Sequence, residues 1–264
     1  PWSFEIFNGF TNNNSGPKDP MILGVRTTVM PIDRLQFEFI KISQWGGEGK
    51  KNGLGAFKAA FIGNTNEKEY GNINQIAGFG FSYLLPKNTL PIRFFGQSIG
   101  EDESGNLPSC YMHLFGLEAK YNLLSKQAKS SFEIVDTRIK KTTNGNCGPI
   151  TAYNNNTHKY TNYGVVMGAS IDTGSKSIGL WNSFNLTNEL SVNYNFEKFI
   201  INNPKWADHR LSSTRQQGWS NYVGLSWKKK KIHIEGGLHN QSINLDKNLS
   251  SNGLGMSLVS KISF

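Results

Sequence analysis

Side-chain alternation with a period of two constrains this chain more than any other feature. Leu190, Val192, Tyr194 and Phe196 are interleaved with Ser191, Asn193, Asn195 and Glu197, so an extended segment here has one apolar and one polar face. Leu35, Phe37 and Phe39 stand against Gln36 and Glu38 in the same way, and Ala77, Phe79, Phe81, Tyr83 and Leu85 stand opposite Gly78, Gly80 and Ser82. A helix would scatter these residues around its circumference. Alternation sustained over about 10 residues is what a strand needs to cross a membrane with one face in hydrocarbon and the other in water.

Read this way, the chain contains twelve strands, at roughly 1–9, 20–30, 34–43, 75–85, 90–97, 109–121, 130–138, 174–185, 188–197, 219–228, 231–239 and 254–264. Short turns alternate with long connections (10–19, 44–74, 98–108, 139–173, 198–218 and 240–253). A soluble sandwich has no reason to gather its long loops at one end, whereas an outer-membrane barrel has short periplasmic turns and long outer loops. The expected fold is therefore all-β, an antiparallel transmembrane outer-membrane β-barrel of about 12 strands, with residues 1–264 as one barrel domain. An even strand number puts both chain ends on the short-turn side. The last segment agrees: Met256, Leu258, Ile262 and Phe264 share a face that Ser260 interrupts. A terminal aromatic in that register resembles the signal read by the barrel assembly machinery, which makes Phe264 the expected contact.

Composition fits this class. Hydrophobic residues make up 37% and mean hydropathy is -0.43, yet there are 6 Trp, 9 Tyr, 17 Phe and 28 Gly. No apolar run approaches the roughly 20 residues of a membrane helix. The formal charge of +9 comes without a helix-turn-helix, RNP or zinc-finger pattern, so an anionic lipid or polysaccharide surface is the expected partner rather than nucleic acid. The chain opens at Pro1 without Met or a leader, so an export signal is expected upstream or already removed. Cys110 and Cys147 lack CxxC spacing and are either two separate thiols or a disulfide. The expected topology puts both on the outer side.

Catalytic signals are weak. His233, Glu235 and His239 lie in HIEGGLH, which is not the HExxH of zinc proteases, and on a strand all three become polar wall lining. Glu101, Asp102 and Glu103, and Asp172, could serve a hydrolase but read as solvated turn residues. GxSxG and GxGxxG are absent, and no cofactor, metal or enzymatic activity is expected. Lys228 to Lys231 read as a solvated turn. Sugar recognition uses aromatic faces together with amides, carboxylates and Arg forks. At or near the expected outer rim, these types are supplied by Trp45, Arg93, Gln97, Asp136, Arg138, Tyr160, Trp206, Arg210 and Trp219, the candidate glycan-binding residues.

Six segments, in order along the chain, resemble the capsule assembly Wzi family of outer-membrane lectin-like barrels. They are Ile22 to Pro31 (ILGVRTTVMP), Ser43 to Gly49 (SQWGGEG), Asn74 to Pro86 (NQIAGFGFSYLLP), Phe95 to Glu103 (FGQSIGEDE), Phe132 to Arg138 (FEIVDTR) and Tyr163 to Ser175 (YGVVMGASIDTGS). The resemblance implies a barrel of about eighteen strands with an upstream periplasmic helical part, of which this chain looks like the C-terminal two-thirds. It also implies retention of capsular polysaccharide at the cell surface. A porin or transport channel is the alternative, which long loops and charged wall residues also fit.

Overall fold

The computed structural model describes residues 1–264 apart from 13–15, 64–72, 87–89, 105–106, 143–146, 156, 248–251 and 263–264, with the backbone alone for 102–104. Phe264 and the side chains of Asp102 and Glu103 thus lie outside the described residues. The elements in chain order are β1 (Trp2–Phe10), β2 (Met21–Ile32), β3 (Leu35–Trp45), α1 (Leu54–Ile62), β4 (Asn74–Leu84), β5 (Ile92–Ser104), β6 (Leu107–Leu123) and β7 (Lys126–Asp136). They continue as β8 (Thr161–Asn162), β9 (Val165–Val166), β10 (Lys176–Asn185), β11 (Leu190–Ile201), β12 (Gln216–Lys229), β13 (Ile232–Gln241) and β14 (Gly253–Ile262).

All twelve expected strands are present, joined as one sheet in sequential order, while β8 and β9 pair separately. The connections beyond β2, β6 and β12 tighten to two residues. Leu124 and Ser125 both take positive φ (51° and 61°), as the right-handed twist of a two-residue hairpin demands. Some expectations need correcting: Glu101 and Asp172 are not solvated turn residues but buried, and 98–108 is not a long loop, because β5 runs to Ser104 and β6 starts at Leu107. Here GEDES lacks the apolar half of the alternation, so a strand that continues beyond the apolar band reads as a loop.

The register gives every strand two unlike faces. Tyr194, Val223, Leu238 and Met256 lie in one cross-strand row, and they are 40%, 49%, 49% and 84% exposed. In the other parity the row is Trp181, Asn195, Tyr222, His239 and Gly255. An apolar row this exposed suits hydrocarbon rather than water. Asn182, in the apolar parity, is not left unsatisfied, since its Oδ1 accepts from Ser130 at 2.7 Å.

The fold divides into two compact units, residues 1–82 with 96–113 and 136–174, and residues 83–95 with 114–135 and 175–264. Near the long connections, the first is clad on both faces of its strands. On the apolar parity, α1 lays Ala56, Ala59 and Ala60 against Leu23 and Trp45. On the polar parity, the long connection after β7 buries Ile139, Ala152, Tyr153 and Tyr160 against Ile76, Cys110 and Met112. Hydrogen bonds secure that connection. Tyr160 Oη donates to the Ile42 carbonyl (2.5 Å) and accepts from the Ile76 N–H (3.3 Å). Asn74 donates to the His158 carbonyl (2.7 Å), and Thr137 Oγ1 to that of Asp172 (2.5 Å). Cys110 and Cys147 form a disulfide with Cα atoms 5.2 Å apart, closing a loop across a sequence separation of 37.

Two outcomes follow. Tyr160→Phe leaves the Ile76 N–H without its acceptor in a buried setting and should lower stability to urea in micelles by about 1–3 kcal/mol. Reduction of the disulfide removes a constraint of about 4 kcal/mol on the unfolded chain. Protease should then cut within 139–174 faster after dithiothreitol, while the strand pairing seen by circular dichroism persists.

Candidate glycan-binding face

The second unit carries its polar parity as a lined surface. A cavity of ≈ 560 Å³ is bordered by Arg93, Phe95, Glu118, Lys129, Trp181, Asn193 and Asn195, among others. A neighbouring cavity of ≈ 510 Å³ shares Trp181, Asn195, Tyr222 and Glu235 with it and adds Glu197, Ser220 and His239. A third, of ≈ 640 Å³, shares Lys129 and Ser183 and adds Lys120, Asn122, Gln127 and Asn185. Shared borders make the three one continuous polar track.

Glycines shape this track. A β-carbon on Gly179 would lie 2.1 Å from the Trp181 ring, and β-carbons on Gly224 and Gly237 would each lie 2.2 Å from Tyr222. One on Gly116 would lie 2.4 Å from the Phe95 ring. Each ring therefore occupies the space above a glycine and rests along the strands instead of standing away from them. Glycine weakens a strand interior, but a neighbouring aromatic covers the gap. The result is a set of apolar platforms set among polar groups, the pairing that sugar rings need.

Polar partners hold the platforms. Tyr222 Oη donates to Glu235 Oε1 at 2.7 Å, and its ring lies 4.5 Å from that of His239, whose Nε2 is 3.0 Å from Ser257 Oγ. Arg93 sits 4.6 Å over the Phe95 ring and reaches Glu118 at 3.3 Å. Lys129 meets the same carboxylate at 2.6 Å. In the first unit a separate ladder joins Glu5, Arg26, Glu38 and Gln97, with Arg26 to Glu38 at 2.9 Å and Gln97 to Glu38 at 2.5 Å. His233, Glu235 and His239 each bond a different partner, Ser226, Tyr222 and Ser257. Among the described residues no group of three or more His, Cys, Asp or Glu could hold a metal ion.

The residues expected from sequence are not brought into one site. Arg93 lines the track, and Gln97 belongs to the charge ladder. Asp136 and Arg138 pair with each other, Nε to Oδ1 at 2.8 Å, and the carboxylate holds the guanidinium pKa above its usual value. Trp45 is buried beneath α1, edge-on to Phe57. Tyr160 is wholly buried; that burial, with Glu101 nearby, holds its phenol well above the usual range. It has no surface to offer a ligand. Trp206 and Arg210 are half-buried in the connection after β11, where Asn202 bonds the Trp206 backbone. Trp219 shares the parity of Val223 and Leu225, the apolar one. The ion Asp246, exposed in the connection after β13, is held at a pKa of about 2 by the hydroxyls of Ser212 and Ser213.

Trp181 and Tyr222 were missed as lining residues of the track. Their signal was an aromatic two residues from a glycine on the polar parity (Gly179 and Trp181, Tyr222 and Gly224), which acquires meaning once the register is known.

Comparison with known proteins agrees with this fold. The family model for capsule assembly protein Wzi matches residues 1–248. A protein of Klebsiella pneumoniae described as an uncharacterized 55.8 kDa protein in the cps region is 37% identical over 142 residues, which is 52% of this chain and 28% of that protein. The solved Wzi of Escherichia coli is an outer-membrane protein involved in group 1 capsule assembly and a carbohydrate-binding β-barrel. It aligns over 100% of this chain and 56% of its own with a TM-score of 0.81 and 24% identity, so the fold is that β-barrel. This chain spans about half the length of that structure and less than a third of the Klebsiella protein. The match across nearly its whole length assigns it to a family: the chain belongs to the capsule assembly protein Wzi family.

Proposed function

We propose that this chain acts in the outer membrane as a β-barrel that binds capsular polysaccharide and helps hold the capsule on the cell surface, without cleaving it. The observation that carries the reading is the polar track whose aromatic rings lie flat over glycines, Trp181 on Gly179 and Tyr222 on Gly224 and Gly237. Sugar C–H faces stack on such rings while Asn193, Asn195, Glu235 and Lys129 bond the hydroxyls. Family membership and the carbohydrate-binding relative support the same class of ligand. The apolar parity supports a membrane setting, with the turns of β2–β3, β6–β7 and β12–β13 in the periplasm and the long connections outside. Residues 1–264 are read as one barrel domain, and Phe264 as its contact with the assembly machinery.

Binding without turnover is supported by how two of the four carboxylates that line the track, Glu118 and Glu235 beside Glu133 and Glu197, are engaged. Glu118 is shared between Arg93 and Lys129, and Glu235 is bonded by Tyr222. A glycosidase needs one carboxylic acid and one carboxylate flanking the scissile bond, each open to the substrate. The net charge of +9 adds attraction for an acidic polymer that weakens as salt rises.

The test is glycan binding by the purified barrel, using capsular polysaccharide from the same cells. Trp181→Ala and Tyr222→Ala should each weaken binding about tenfold, roughly the loss of one stacking platform. Gly179→Ala removes no side chain yet should weaken binding similarly, because its β-carbon takes the space of the Trp181 ring; a red shift in tryptophan emission reports that displacement. The recovered polymer should keep its length. Unchanged affinity in all three variants, with the shift observed, would overturn the track as the site. A large stable conductance in planar bilayers would favour a transport channel instead.

A further inference from the structure

Helix α1 is apolar on both sides. Ala56, Ala59 and Ala60 face the sheet, and on the opposite side Leu54, Phe61 and Ile62 are 88%, 41% and 60% exposed. Spacing puts Leu54, Lys58, Phe61 and Ile62 on one stripe. A helix with apolar side chains on two opposite faces is at home where both are covered.

Its place on the sheet says what covers it. Ser43 Oγ donates to the Ala60 carbonyl (3.1 Å) and Lys41 Nζ to that of Phe61 (2.7 Å), while Trp45 meets Phe57. The helix thus runs antiparallel to β3, its C-terminal end beside Lys41. The next residue of that parity is Phe39, 58% exposed, followed by Phe37. The apolar stripe of α1 is therefore continuous with the apolar parity of β3, at its border nearest the long connections. Charge points to the headgroup: α1 has Lys58 and no carboxylate, and Lys50 and Lys51 precede it after Glu48. Lys58 stands in the middle of the stripe, where its stem can lie along apolar surface while its ammonium reaches outward.

We infer that α1 is an interfacial helix seated in the outer leaflet, with Leu54, Phe61 and Ile62 in the acyl boundary and Lys58 and Lys50 on lipid phosphate. Apolar side chains seat in the acyl boundary while lysine stems reach outward to the headgroups, and anionic lipid contributes to each lysine near the surface. The wall binds lipid through side chains that alternate along strands, whereas α1 adds a patch above the band that recognises the headgroup. The inference rests on the membrane reading of the sheet and not on glycan binding.

The test uses the full chain in nanodiscs of phosphatidylcholine with or without phosphatidylglycerol. With Cys110 and Cys147 joined, a single introduced cysteine takes a nitroxide label. The sites are Leu54→Cys on α1 and Val223→Cys on the wall. Both labels should meet oxygen in preference to a water-soluble nickel chelate. Lys58→Glu and Lys50→Glu should each lower the preference for phosphatidylglycerol over phosphatidylcholine by up to about fivefold. If Val223 reads as lipid and Leu54 as water, the inference fails while the membrane reading stands; if Val223 also reads as water, the membrane reading fails too. A lipid preference unmoved by either glutamate overturns the phosphate contact. Shielding of Leu54 that tracks dimer formation overturns the lipid as occupant.

Discussion

Everything in this molecule depends on the backbone ladder that gives each strand two faces with different solvents. Hydrocarbon cannot satisfy an N–H or a carbonyl, so a wall in a membrane must pair these groups between strands and offer water nothing on its outer parity. Once the ladder is saturated, the side chains are free to specialise. Tyr194, Val223, Leu238 and Met256 solve one solvent problem, and Trp181, Asn195, Tyr222 and His239, one residue away in each strand, solve another. A register slip of one residue would put Asn195 and His239 in lipid, so pairing and function are specified together.

Where the strands run beyond the apolar band that solution changes. At these ends of the first unit both faces are covered by the chain itself. The apolar parity of β2 and β3 receives α1 through three alanines, small enough for close approach, and the polar parity of β3 to β6 receives the connection 137–174. That connection is anchored through the side chains of Tyr160, Asn74 and His158, which tie it to backbone groups across segments, and is closed on itself by Thr137. The disulfide adds a covalent tie at Cys110, whose φ is 55°. Loops held this way behave as structure, which is why aromatic residues expected at an open rim turn out to be packing.

The strands were legible because two unlike faces impose alternation along most of their length; the segment expected at 188–197 is β11, Leu190–Ile201, with Tyr194 and Asn195 on opposite parities. The same rule explains what was hidden. β5 beyond Gly100 needs no apolar parity, so GEDES carried no strand signal. Helix α1 has apolar residues on two opposite faces and spans nine positions, too few for a period of 3.6 to show inside a long connection. Trp45 and Tyr160 were expected as glycan contacts near the outer rim, but sequence does not say whether a ring presents its face or spends it on Phe57 or Ile76. Trp181 and Tyr222 show the reverse. Both sat in strands that were read correctly, and their role emerged from what lies beneath them.

The glycines beneath these rings carry the strongest argument for a surface under selection for its shape. In a strand a glycine loses conformational entropy on folding and brings no side chain to pack, at a cost of roughly 0.5–1 kcal/mol against alanine. Gly179, Gly224, Gly237 and Gly116 all lie on the polar parity beneath aromatic rings, whereas alanine there would collide with Trp181, Tyr222 or Phe95. Water alone gives no reason to lower a ring onto the wall, since a polar side chain would line it equally well. A flat ring does make sense where a flat, partly apolar partner must slide along the surface between hydrogen-bonding groups, and a polysaccharide is such a partner.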